Sequence, residues 1–178
     1  MKIIENILLI AIILLAAFWD AKTKRIPNKI IITGIICGLL ATFFSNGIKG
    51  VLDNALGLIF GIIILLIPFA MGGIGAGDVK LLGVIGAIKG VQFVFYTFLS
   101  TAVWGGLAAI VLLAYHKQLL DMLKWIGNSL YQFILFLCTK GRHKISIYPI
   151  PSTKLSIPYA VPMFLGTVTI LIMGVVQS

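Results

Sequence analysis

Charge is what this chain has least of. Only five of its 178 residues are acidic, charged residues of both signs make up 11%, and the mean hydropathy is +1.13. An ordinary soluble domain carries about 25% charged residues, so that class is excluded. Cysteine and histidine are scarce too. Cys37 and Cys138 stand alone in apolar surroundings, no Cys-x-x-Cys pair occurs, and His116 and His143 lack ligand spacing. Both cysteines read as small buried hydrophobes, and neither a metal site nor a cofactor is expected. No internal repeat of the kind common in transporters is visible.

What the chain has instead is apolar length, with 60% of its residues hydrophobic. That composition predicts an all-α, polytopic membrane helix bundle forming a single integral-membrane domain over 1–178. Six candidate spans stand out: Ile3–Trp19, Ile30–Ser45, Ala55–Met71, a short Val79–Ile88, Val91–Tyr115 and Ile157–Val176. The first is read as a retained span rather than a signal peptide. It has no strongly basic leader before it and no small-residue cleavage site after it. The short fourth run would rise only about 15 Å as a helix, so it must tilt or continue through Lys89-Gly90. Segment 119–137 mixes Asp121, Lys124, Asn128 and Gln132 with Leu, Trp and Phe, the pattern of an amphipathic helix lying on the membrane surface, with a seventh span as the alternative. The partner implied for such a surface is membrane lipid.

The formal charge of +9 encodes orientation, not nucleic-acid binding. With the loops at 20–29 and 116–156 and the turn at Lys80 in the cytoplasm, eleven of the fourteen basic residues lie inside, and Lys2, Lys49 and Lys89 lie outside. The protein is therefore expected in the cytoplasmic membrane with both termini outward.

Two of the rare acids then become conspicuous. Asp20 closes the first apolar run, just before Ala21-Lys22-Thr23-Lys24-Arg25-Ile26-Pro27-Asn28, and Asp78 sits in Gly75-Ala76-Gly77-Asp78-Val79-Lys80. Two crossings separate them, so both return to the cytoplasmic side at matched depth. A carboxylate among membrane-grade helices costs several kcal/mol to keep charged and marks a functional site. Taken singly, Asp78 could be a helix N-cap, while Asp20 opposes the macrodipole at its helix C-terminus. Taken together, a close carboxylate pair shares one proton and titrates as a unit. The charged member can activate water against a peptide carbonyl while the protonated member polarises that carbonyl, as in soluble aspartic proteases.

These elements, together with Ile157-Pro158-Tyr159-Ala160-Val161-Pro162 and Gly166, resemble the type IV prepilin peptidases. The Gly-x-Gly-Asp element is also similar to that of other intramembrane aspartyl proteases. The resemblance implies an aspartic endopeptidase that cuts the short basic leader from type IV prepilins or pseudopilins at the cytoplasmic boundary. It implies Asp20 and Asp78 as catalytic residues, with Pro27, Asn28, Gly75, Gly77 and Lys80 at supporting motif positions. Long family members carry a Cys-x-x-Cys domain after the first helix and N-methylate the new terminus. Only about ten residues separate the first two apolar runs here, so the resemblance is to a short, peptidase-only form. The alternative from another class is a small transporter or channel with an acidic relay. Its acids would be expected near the midplane rather than at one face.

The orientation has a direct check. Single cysteines at Thr23, Asn46 and Ser152, in a background lacking Cys37 and Cys138, are treated with an impermeant thiol reagent in intact cells. Asn46 is expected to label while Thr23 and Ser152 stay silent. The reverse pattern overturns the topology.

Overall fold

The computed structural model describes residues 2–138 and 158–174. Five helices follow one another among these residues: α1 (Lys2–Thr23), α2 (Asn28–Ala70), α3 (Ala76–Tyr115), α4 (Leu119–Cys138) and α5 (Ala160–Met173). Three stretches, Ile3–Thr23, Asn28–Ala70 and Ala76–Tyr115, are long and apolar enough to cross a membrane, and α5 is a shorter apolar helix of 14 residues.

Length shows that α2 and α3 are not straight rods. Their 43 and 40 residues would rise about 60 Å if unbroken, twice the ~30 Å of hydrocarbon in a bilayer. Each contains one glycine outside helical geometry: Gly47 at φ 65°, ψ −158°, and Gly90 at φ 79°, ψ −178°. Only glycine takes such a positive φ without steric cost. At both points the chain folds back on itself. Asn54 Nδ2 donates to Thr42 Oγ1 at 2.6 Å, although a continuous helix would hold those residues about 18 Å apart. Likewise a Cβ on Gly105 would lie 3.7 Å from the Tyr159 ring, and the next residue, Ala160, donates its N–H to Asp20, which lines one cleft with Asp78. In an unbroken helix Asp78 and Gly105 would be about 40 Å apart.

The expected polar turn from Asn46 to Asn54 thus contracts to the single residue Gly47, with residues 48–54 already helical. The short run Val79–Ile88 is the first arm of α3, continuous with the next up to the break at Gly90. Segment 119–137 is helical, as α4. The last helix starts at Ala160 and ends at Met173. Ile157 and the basic residues from Lys140 to Lys154 lie outside the described residues.

The chain divides into two compact units, residues 1–106 with 158–178, and residues 107–157. In the second, α4 exposes Leu120, Leu123, Ile126 and Tyr131. In the first, α1 packs against both α2 and α5. Its core includes Leu9 and Ile13 of α1, Leu82, Ile85 and Val94 of α3, and Met163 of α5, all 1% exposed or less. The outer surface is also apolar, with Ile3, Ile36, Ile67 and Val103 more than half exposed, as a lipid-facing surface must be. The first arm of α3 lies directly against the second arm of α2. A Cβ on Gly86 would collide with the Gly57 carbonyl, the small-residue contact that brings membrane helices close.

Breaking a helix frees carbonyls, and one side chain meets that cost. Asn54 is buried, and its amide donates to Ala87 O at 3.2 Å and Ile88 O at 3.0 Å as well as to Thr42 Oγ1. Those two carbonyls belong to the turn that ends at Gly90, where helical partners are lost. Asn54→Leu should therefore cost about 1–3 kcal/mol through unsatisfied buried acceptors. Thermal unfolding in detergent should show a lower midpoint for it, with Asp53→Asn, one residue away and exposed, close to wild type.

Candidate active site

The end of α1 sets the position of Asp20. Lys24 takes φ 52°, and its N–H donates to Asp20 O at 2.8 Å. This is a left-handed helix stop with a lysine where glycine is usual, at a cost of about 1–2 kcal/mol. The Thr23 hydroxyl lies 2.8 Å from Trp19 O and 2.9 Å from Arg25 O, pinning the turn on both sides. Asp20 is left in the last turn of α1, 6% exposed. Its Oδ2 accepts the Ala160 N–H at 3.1 Å. Ala160 opens α5, whose N-cap Tyr159 makes no side-chain capping bond. A carboxylate that opposes the dipole of its own helix thus sits on the positive end of another.

Asp78 is fixed by the opposite device. It lies in the first turn of α3, and its Oδ2 reaches back to accept the Gly75 N–H at 3.2 Å while its own N–H donates to Gly75 O at 3.1 Å. It is therefore not the N-cap. It is the third helical residue, making the return bond of a capping box. A Cβ on Gly75 would come within 3.1 Å of that oxygen, so glycine leaves the space. Asp78 is 7% exposed, and its Oδ1 is buried with no hydrogen-bond partner among the described residues. Leaving such an oxygen unpaired costs about 1–3 kcal/mol.

Both carboxylates line one cleft of about 320 Å³, with Lys24, Arg25, Asn28 and Lys80 around them. The two carboxylates are near enough to interact electrostatically. Of the supporting motif residues, Asn28, Gly75, Gly77 and Lys80 all contribute to the cleft wall, and Lys80 Nζ donates to Asn28 Oδ1 at 3.1 Å across the α2–α3 boundary. Pro27 stands apart from the wall as the N-cap of α2, at φ −62°, ψ 132°. Asp53 is exposed beyond the Gly47 break.

Some of the site gave no sequence signal. The Ala160 amide is the partner of an acid 140 residues away. Lys24 and Arg25 counted toward orientation, not toward the cleft. Glu5, the remaining acid in the first unit, is buried at the far end of α1, where it accepts from Ser45 Oγ at 2.9 Å and pairs with Lys89 at 3.4 Å. Among the described residues no group of three His, Cys, Asp or Glu side chains converges as a metal site would require.

Residues 7–113, which contain both aspartates and the whole cleft wall, match the type IV leader peptidase family. The chain belongs to the type IV leader peptidase family. It is also 28% identical over 117 residues to the prepilin leader peptidase/N-methyltransferase of Bacillus subtilis, covering 62% of this chain and 46% of that protein. The chain thus spans about half the length of the curated relative it matches. No solved structure matches it. As a leader peptidase family member, the chain keeps its two buried acids inside the matched region and Ala160, which holds one of them, outside it.

The two acids should differ in what they do for stability. Asp20→Ala strands the Ala160 amide and should cost about 1–3 kcal/mol. Asp78→Asn keeps an acceptor for Gly75 and removes one of two close carboxylates, so its thermal midpoint should equal or exceed wild type. Thermal unfolding of the two variants side by side checks this. A midpoint for Asp78→Asn below that of Asp20→Ala contradicts the assignment of their partners.

Proposed function

We propose that this protein is an aspartic endopeptidase that removes the short basic leader from type IV prepilins or pseudopilins at the cytoplasmic face of the membrane. One observation carries the reading. Asp20 and Asp78, nearly buried and 58 residues apart in sequence, line a single cleft, and Asp78 Oδ1 has no partner among the described residues. A buried oxygen left open beside a second carboxylate is suited to a water or to a substrate carbonyl. Family membership supports the same chemistry.

In this mechanism the two carboxylates share one proton and act as a unit. The ionised member takes a proton from water as its oxygen attacks the scissile carbonyl. The protonated member donates to the developing oxyanion, and the pair then delivers a proton to the leaving amine. The Ala160 amide holds Asp20 and the Gly75 amide holds Asp78, each through one oxygen. The second oxygen of each carboxylate remains for the reaction. Leader and mature chain separate with one water consumed.

The helix breaks support a six-pass arrangement: α1, the two arms of α2, the two arms of α3, and α5. Reversal at Gly47 brings the chain back to the side of Asp20, where Asp78 follows the turn after Ala70. The reading includes no methyl transfer, because the segment joining α1 to α2 is only Lys24–Pro27.

A purified-protein assay on a prepilin tests the mechanism. Asp20→Asn and Asp78→Asn should each reduce cleavage at least about a thousandfold, and the double variant should be no slower than either single one, because losing one member removes the pair. Asp53→Asn and Asp121→Asn should stay close to wild type. Chelators should leave cleavage intact, and the mature product should carry no added methyl group. A folded Asp20→Asn that still cuts at an appreciable rate sinks the two-aspartate mechanism.

A further inference from the structure

A second hollow lies beside the cleft. It has a volume of about 350 Å³ and is walled by Ile32 and Ile35 from the first arm of α2 and by Leu58 and Ile62 from the second, with Gly83 of α3 beneath. Asn28 and Lys80 line it as well, and these same two residues line the catalytic cleft. Their hydrogen bond, 3.1 Å between Lys80 Nζ and Asn28 Oδ1, therefore forms the border between a polar cavity holding both aspartates and an apolar one leading away from them. Asn28 and Ile35 mark a length of about 10 Å along the helix, the reach of about seven residues of helical peptide. The Gly83 floor is tight, since a Cβ there would meet Ile62 Cγ1 at 3.0 Å. The hollow thus owes its depth to a missing side chain.

We propose that this groove seats the apolar stretch of the substrate that adjoins the scissile bond, so that Asn28 and Lys80 mark where polar chain gives way to membrane-embedded chain. The proposal rests on the leader-peptidase reading above and adds to it a specificity surface. Continuity selects the occupant. A polypeptide whose carbonyl lies between the two aspartates must leave the cleft past Lys80, and the apolar surface next encountered is this groove. A lipid acyl chain would fit the walls but has no reason to abut a catalytic cleft. The lining also discriminates: apart from Asn28 and Lys80 at the border the groove is walled by apolar residues and Gly83, so it accepts apolar side chains and would desolvate a basic leader without pairing it.

Cross-linking tests the placement. Ile32, 56% exposed on the groove lip, and Leu14, 53% exposed on α1 away from it, are each replaced by cysteine in a Cys37→Ala, Cys138→Ala, Asp78→Asn background that binds without cutting. The probe is a prepilin cleaved by the wild-type protein, with a single cysteine about six residues beyond the cut, within the helical reach of the groove. In lipid nanodiscs with a bis-maleimide, Ile32→Cys should cross-link to it far more than Leu14→Cys. Independently, Ile35→Trp should raise KM for that prepilin about tenfold with kcat retained, the effect of blocking one buried anchor. Equal or absent cross-linking at Ile32, or an unchanged KM in Ile35→Trp, while the wild type still cuts the prepilin, overturns the groove and leaves the peptidase reading standing. A wild-type protein that cuts no prepilin counts against the peptidase reading itself and takes the groove with it.

Discussion

Holding two carboxylates close together inside an apolar bundle is the constraint on which the rest of this structure depends. Among the described residues, neither acid is neutralised by a cation within the ion-pair distance seen for Glu5 and Lys89. Each is held instead by a backbone amide at a helix N-terminus, Ala160 for Asp20 and Gly75 for Asp78. A helix N-terminus offers partial positive charge and unpaired N–H groups without introducing a side chain. That choice keeps the second oxygen of each acid clear of a salt bridge. It also ties the first helix to the last, through the bond from the Ala160 amide to Asp20.

The same constraint explains the broken helices. Bringing Asp78 back to Asp20 within a membrane-thick bundle requires an even number of passes between them. The chain makes its first reversal with almost no loop, through the positive φ of Gly47, and the later one at Gly90 lets the second arm of α3 pass back toward Tyr159. Short reversals leave unpaired carbonyls in a medium without water, where they are costly. Asn54 is the compensation, bonded at once to the first arm of α2 and to the freed end of the first arm of α3. An acidic relay of the transporter kind would put its carboxylates near mid-bundle. Here they sit one turn from helix ends, at the opposite end of α1 from the buried Glu5, which lies about 22 Å away along the helix.

How legible this was depends on the range of each interaction. Asp20, Asp78 and their glycine and proline neighbours stood out because charge is rare in the chain and because their motifs are local. The even parity between them followed from counting apolar runs. Polar Asn46 and Asn54 suggest a longer turn than the structure has, since Asn54 is buried in a helix by contacts more than thirty residues away. The Ala160–Asp20 bond and the Glu5–Lys89 pair were invisible for the same reason. They join residues 140 and 84 positions apart, and no local pattern encodes such a pairing. Lys24 gave no hint either, because a left-handed lysine is set by the bonds around it rather than by its own preference.

The site at which a prepilin is cleaved tests the proposed peptidase most directly. Purified protein in nanodiscs is incubated with a type IV prepilin, and the new N-terminus is located by mass spectrometry. A cleft at the membrane boundary with an apolar groove on its inner side predicts one cut, at the junction between the basic leader and the apolar stretch, and none with Asp78→Asn. A cut elsewhere in the precursor, or the same product from Asp78→Asn, contradicts it.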